Sequence, residues 1–272
     1  MPKIDLKIVL SRRFLLVISV IAMSALAGYL LYSHYTQVLP DSAIHFLNDV
    51  PQAQSGDKVL VFSPHPDDES LAVGGFIADA EKSGAEVEIV LVTDGNKHGL
   101  KEKRYAEFGR ATADLEVKSS DLVYLNHKDG ALQLENQQVI RDQFKQIIDT
   151  FKPNIIFSPS SSDSHLDHKT TGERVNDVLS QENFSGKAYQ YLVHAAHYPQ
   201  PKSYEPDQYL LPPLRLITFD KEWQRYLLSS STENAKYKAV MEYQSQLKTP
   251  ILRGVMMSLI RQNELFAVSG GN

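Results

Sequence analysis

Four short apolar runs, Val59 to Phe62, Val87 to Val92, Leu122 to Leu125 and Ile155 to Phe157, most constrain what this chain can become. Each is short, rich in β-branched or aromatic residues, and separated from the next by a helix-length segment. A continuous apolar strand has to be covered on both faces, and connections long enough to hold a helix bring the chain back in the same direction. That combination predicts an α/β fold with a mostly parallel sheet. The helices are legible as well. Val139, Ile140, Phe144, Ile147, Ile148 and Phe151 recur at three- and four-residue intervals until Lys152-Pro153 ends the stretch. Leu71 to Ala80 and Tyr105 to Leu115 read as further crossovers, so right-handed βαβ units are expected.

The chain has 272 residues, 42% of them hydrophobic, enough for one large core. Its net charge is -5 and it has no lysine- or arginine-rich tract, which argues against nucleic acid as a partner, because phosphate contacts need clustered cations. Cysteine is absent, so disulfides, thiolate metal ligands and a cysteine nucleophile are excluded.

Phe14 to Tyr32 is an uncharged, mostly apolar run as long as a membrane span. Lys3, Lys7, Arg12 and Arg13 precede it, and the next cation is Lys58, a bias that places residues 1–13 in the cytoplasm. A cleavable signal is the competing reading, because Ala25-Leu26-Ala27 has the small residues of a cleavage site; the apolar run continues past it, which favours an uncleaved anchor. A single-pass protein of the inner membrane is expected, with its larger part outside, in the periplasm. Residues 33–57 read as a linker and 58–272 as the folded domain. After about Lys187, tyrosines and prolines interleave into a loop-rich flap. A helix opening with Ser230 and Glu233 in capping-box spacing then runs to Leu247, and another follows from Ile251 to Ile260.

Two polar clusters sit directly behind apolar runs: Ser63-Pro64-His65-Pro66-Asp67-Asp68-Glu69 after the first, and Ser164-His165-Leu166-Asp167-His168 after the fourth. The carboxyl ends of parallel strands are where ligands bind in open α/β sheets. Two imidazoles and one carboxylate with an open fourth position make a hydrolytic metal centre. His65 and Asp68, three apart around a turn, together with His168 from the opposite strand end, supply that set. Asp67 is left to accept a proton from an activated water. His165 is placed to stabilise an oxyanion or protonate a leaving amine, and Asp167 to orient an imidazole. The plainer reading is that these acids cap helices.

These two clusters resemble the PIG-L/LmbE-like N-deacetylases, over about residues 58 to 266. The resemblance implies a Rossmann-like three-layer fold, here preceded by one N-terminal transmembrane helix. It also implies a zinc enzyme, with iron(II) possible, that removes acetyl groups from N-acetylglucosamine-type amides. Residues matching His65, Asp68 and His168 hold the metal in that family, the one matching Asp67 is the general base and the one matching His165 assists. By the same similarity Arg104 and Asp129 contact sugar hydroxyls; the plainer reading of Arg104 is a helix-surface pair with Glu107. His194, in the flap, can close over a substrate. His98 stays unassigned. The chain departs from the family's pattern at Glu116, where glycine usually follows the leucine, and in its N-terminal anchor, which points to a substrate near a membrane. The alternatives are another N-acyl amine as substrate, or a glycan-binding relative without turnover; a binding module has no need of Asp67.

Overall fold

The computed structural model describes residues 12–36 and 38–269, so residues 1–11 of the expected cytoplasmic N-terminus lie outside the described residues. The chain divides into two compact units, Met1–Val38 and Leu39–Asn272. The first holds helix α1 (Arg12–Thr36). Its stretch Phe14–Ser33, of 20 residues and mean hydropathy 2.4, is wholly unburied and is long and apolar enough to cross a membrane. A signal sequence near an N-terminus meets the same criterion.

The second unit is built on one eight-stranded sheet. Its strands are β1 (Asn48–Asp49), β2 (Lys58–Ser63), β3 (Glu86–Thr93), β4 (Leu122–His127), β5 (Ile155–Pro159), β6 (Lys187–Tyr191), β7 (Lys221–Leu227) and β8 (Asn263–Ser269), in the spatial order β1-β7-β8-β6-β5-β2-β3-β4. All pairings are parallel except those of β8, which runs antiparallel to β6 and β7. Helices cover both faces, as continuous apolar strands require. Val59 and Val61 of β2 enter one core, with α2 (Asp68–Ser83), α3 (Lys101–Asp114) and α6 (Ser230–Glu242). Leu60 and Phe62 enter the other, against Ile140, Phe144 and Ile148 of α4 (Gln137–Phe151) and Val175 and Val178 of α5 (Leu166–Gln181).

The expected strands and crossover helices are all present, but the sheet is wider than its four legible strands. β7 was hidden because its buried residues, Trp223 and Tyr226, stand three apart rather than two. Part of the expected linker also belongs to the fold: β1 pairs with β7 at Asn48 and Gln224, and Ile44, Val50 and Ala53 are buried. A two-residue strand is too short to show any period. The expected flap is pinned rather than loose. Buried Arg261 donates to the carbonyls of Pro201 (2.8 Å), Glu205 (2.9 Å) and Ser258 (2.9 Å), giving irregular backbone the partners it lacks within itself. The helix expected from Ser230 to Leu247 breaks at Tyr243 into α6 and α7 (Gln244–Leu247), followed by α8 (Pro250–Ser258). Its cap is Ser229, which accepts the Thr232 amide at 3.2 Å.

Close approach of α5 to the end of β5 depends on Gly172. A Cβ there would lie 2.2 Å from the Pro159 carbonyl oxygen and 3.0 Å from the Ser161 nitrogen, and backbone cannot move aside as a side chain can. Gly172→Ala is therefore expected to destabilise the domain by about 1–3 kcal/mol, read as a lowered urea midpoint. An unchanged midpoint would show that the strand end yields.

Candidate active site

β2 lies between β3 and β5, and the chain leaves it for β3 and β4 on one side before crossing back to β5 on the other. Such a reversal opens a crevice at the carboxyl ends of the two strands, and both polar clusters emerge into it. On the β2 side, Asp67 precedes α2 with φ 140° and ψ −27°, a backbone conformation costing about 1–3 kcal/mol in an L-residue. The surroundings hold it there. The Asp67 amide donates to Glu69 Oε2 at 3.3 Å, and buried Glu69 in turn accepts from Ser63 Oγ (3.0 Å), Ser70 Oγ (2.7 Å) and the Tyr243 hydroxyl. Arg104 Nη2 donates to the Pro66 carbonyl at 2.8 Å and to Asp67 Oδ2 at 3.2 Å. The Asp67 side chain makes no capping bond to α2, so the helix-cap explanation of this residue fails.

Three donor atoms meet in the crevice. His65 Nδ1 is 3.2 Å from His168 Nε2 and 3.3 Å from Asp68 Oδ2, and His168 Nε2 is 3.0 Å from the same carboxylate oxygen. Ligands about 2.0–2.1 Å from a tetrahedral ion stand roughly 3.3 Å apart, so a triangle with these edges can hold one ion. Asp68 Oδ1 is buried without a hydrogen-bond partner. Wider groupings, within 4.8 Å, also bring in His165, His194, Asp129 and Asp167.

The far nitrogen of each imidazole rests on a carboxylate. Asp167 Oδ2 lies 3.0 Å from His65 Nε2, and Asp167 is itself fixed by the amides of Gly130 (2.7 Å) and Leu132 (3.0 Å). Asp163 Oδ2 lies 3.3 Å from His168 Nδ1, as an ion-pair contact rather than an aligned hydrogen bond. The imidazole that Asp167 orients is thus His65, on the other strand, and not a neighbour in its own cluster. Asp163 was missed by sequence reasoning as part of the site. It accepts the amides of His165 (2.9 Å), Val193 (3.1 Å) and His194 (2.9 Å), contacts that no local pattern announces.

Burial pushes the Asp67 carboxyl up to about 7 against the pull of the Arg104 guanidinium, with Asp68 adding to the rise. Burial opposes the charge on Asp68 too, yet His168 and His65 hold it well below the usual carboxylate range. Burial would lower His65, but its bonds to Asp167 and Asp68 overcome that and raise it to about 9. Burial, and then the neighbouring histidines, lower His165 to about 4, and burial with His168 lowers His194 to about 3; both rings are neutral at pH 7. His165 Nδ1 accepts the Asp167 amide at 3.3 Å, which places the proton of the neutral ring on Nε2.

His65, Asp67, Asp68 and His165 line a cleft of about 270 Å³. Arg104, Asp129 and His194, the residues singled out for substrate contact, line it as well, as does the unassigned His98. Glu107 does not pair with Arg104; it accepts from the amide and hydroxyl of Ser245 at 2.8 and 2.6 Å. Arg104 instead reaches Asp129 at 3.4 Å. One wall of the cleft is apolar, formed by Leu252, Val255 and Met256 of α8.

Residues 60–179, a span containing both clusters, match the family model "PIG-L: GlcNAc-PI de-N-acetylase". A relative described as probable N-acetyl-alpha-D-glucosaminyl L-malate deacetylase 2, from Bacillus subtilis (strain 168), is 33% identical over 137 residues, 45% of this chain. The chain spans 61% of that relative's length. Among solved structures, N,N'-diacetylchitobiose deacetylase from Pyrococcus horikoshii has TM-score 0.52 at 24% identity, covering 78% of this chain and 84% of its own. A 4-carboxy-2-hydroxymuconate hydratase from Pseudomonas putida KT2440 has TM-score 0.56 at 14% identity, covering 79% and 98%. At such identities the likeness is one of fold, and a fold of this kind hosts more than one reaction. The family match thus runs through both strand ends and both polar clusters, within residues 60–179 of the larger folded unit Leu39–Asn272.

Proposed function

We propose that this chain is a metal-dependent hydrolase that removes the N-acetyl group from an N-acetylglucosamine-type amino sugar, in a glycan or a lipid-linked saccharide. The observation that carries the reading is the triangle of His65 Nδ1, Asp68 Oδ2 and His168 Nε2 beside an unligated Asp67. The donor set suits zinc or iron(II): two imidazoles and a carboxylate, both rings backed by further carboxylates. A bound ion of this kind supplies Lewis acidity, polarising the acyl carbonyl and acidifying a water.

The chain's own residues do the rest. Asp67 accepts the proton of the attacking water, and Arg104 keeps its carboxylate aimed. His165, protonated on Nε2, donates to the carbonyl oxygen as it gains charge, and a proton reaches the departing amine as the C–N bond breaks. Asp167 and Asp163 hold the two imidazoles of the triangle. Asp129, His194 and the outer edge of Arg104 meet the sugar. Products are acetate and a free amine. Because Arg104 already bonds Asp67 and Asp129, its part is as much to hold the base as to meet a hydroxyl.

The candidate span Phe14–Ser33, with its preceding cations, supports anchoring in the inner membrane with this site in the periplasm. Purified full-length protein is expected to contain stoichiometric zinc or iron and to release amine from N-acetylglucosamine conjugates. A chelator should abolish release, and added ion restore it. Release that survives complete removal of the metal would overturn the site.

A further inference from the structure

A second apolar feature lies at one edge of the sheet, where β1 pairs with β7. Leu39, Phe46, Leu47, Pro212, Ile217 and Trp223 line a groove there. Phe46 is 87% exposed and Ile217 47%, and Phe219, two residues further on, is fully exposed. The groove joins segments more than 160 positions apart in sequence, so it is made by the tertiary fold and not by one hydrophobic stretch. Bulky apolar side chains grouped around a groove mark a surface that meets an apolar partner.

Covalent geometry identifies the partner. Leu39 is three residues beyond the end of α1 at Thr36, and the candidate span ends at Ser33. At about 1.5 Å per helical residue and at most 3.6 Å per extended one, Leu39 lies no more than roughly 15 Å from the end of the span, whatever the orientation of the domain. The groove is therefore held within reach of any bilayer that α1 enters. Its charged lining residues carry both signs, Lys221 against Glu222, so attraction to an anionic surface is not what it is built for. Aromatic tips over a mixed, near-neutral lining suit the headgroup boundary of a lipid bilayer.

We propose that Phe46, Ile217 and Phe219 form a foot on the bilayer that holds α1, their side chains entering the headgroup–acyl boundary. The inference rests on α1 being inserted in a membrane. With the tether at Leu39 and the foot as two attachments, the domain cannot tumble about its stalk, and its cleft is held at a set height over the lipid.

The absence of cysteine makes the test direct, because one introduced thiol takes one spin label. Full-length Phe46→Cys and Phe219→Cys are labelled and reconstituted in phosphatidylcholine vesicles. Collision with oxygen, which concentrates in lipid, is compared with collision with an aqueous nickel complex. Leu26→Cys, within the span, serves as the lipid reference, and Leu134→Cys, 80% exposed, as the aqueous one. The expected result is that labels replacing Phe46 and Phe219 favour oxygen and report a depth of about 5–10 Å, while the label replacing Leu134 favours nickel. If both foot labels behave like the one replacing Leu134 while the one replacing Leu26 stays lipid-like, the foot is refuted and the span stands. A water-exposed label at Leu26 refutes the span and the foot with it. Broadening between copies without lipid-like collisions assigns the groove to a second copy of the chain, which also overturns the proposal.

Discussion

Asp67→Asn is expected to lower kcat for amide hydrolysis by about 10²–10⁴-fold while leaving bound metal unchanged. The substitution is close to isosteric, and asparagine tolerates positive φ better than most residues, so the strained backbone at φ 140° survives it. The triangle of His65, Asp68 and His168 does not use the Asp67 side chain, which is why metal content should hold. Arg104 loses one charged partner but keeps Asp129 and the Pro66 carbonyl. What disappears is a basic carboxylate in a buried position beside the reacting water. Amine release and metal content measured on the same preparation decide the matter: a variant with full metal and full turnover would show that another group moves the proton.

The second large effect concerns stability. Lys236→Met is expected to cost about 3–5 kcal/mol, read as a fall in the urea midpoint at unchanged slope. Lys236 Nζ and Glu264 Oε1 are 2.8 Å apart and both side chains are fully buried. Glu264 also accepts the amides of Gly75 (2.7 Å) and Phe76 (2.9 Å), so this single carboxylate ties α6 and β8 to the middle of α2. Removing the ammonium leaves a negative charge in the core with only two amides to balance it. Adding Glu264→Gln should then recover much of the loss, because the amide carries no charge and can still accept from one of them. A single variant losing less than about 1 kcal/mol would mean that the pair contributes no more than an exposed one.

How much of the molecule could be read in the sequence follows from how local each signal is. β2, β3 and β5 are buried on both faces over most of their length, so their residues are mostly apolar, and the run itself is the signal. α4 places Ile140, Phe144 and Ile148 against one core only, and its period shows in the same way. β7 and β8 sit at the antiparallel side of the sheet; β7 mixes buried and exposed positions without a clean alternation, and β8 opens on buried but polar Asn263 and Glu264, which break its apolar run. They surface only once their partners are known. At the site, the clusters behind β2 and β5 were legible because metal and acid chemistry calls for rare residue types close together.

The assignment of each carboxylate was not legible in the same way. Asp67, Asp68, Asp163 and Asp167 are chemically the same, and what separates them is the direction each faces after β2 and β5 are brought side by side. By itself the sequence determined an α/β domain behind an apolar helix, and which residue types would carry its chemistry, because burial and donor chemistry act on residue identity. Only the tertiary structure decided that Asp167 backs His65 across the crevice, that Asp163 stands behind His168, that Glu69 and Tyr243 hold the turn bearing Asp67, and that Phe46 and Ile217 share one groove. Those are distances between residues far apart along the chain, and a distance of that kind exists only after the intervening elements have packed.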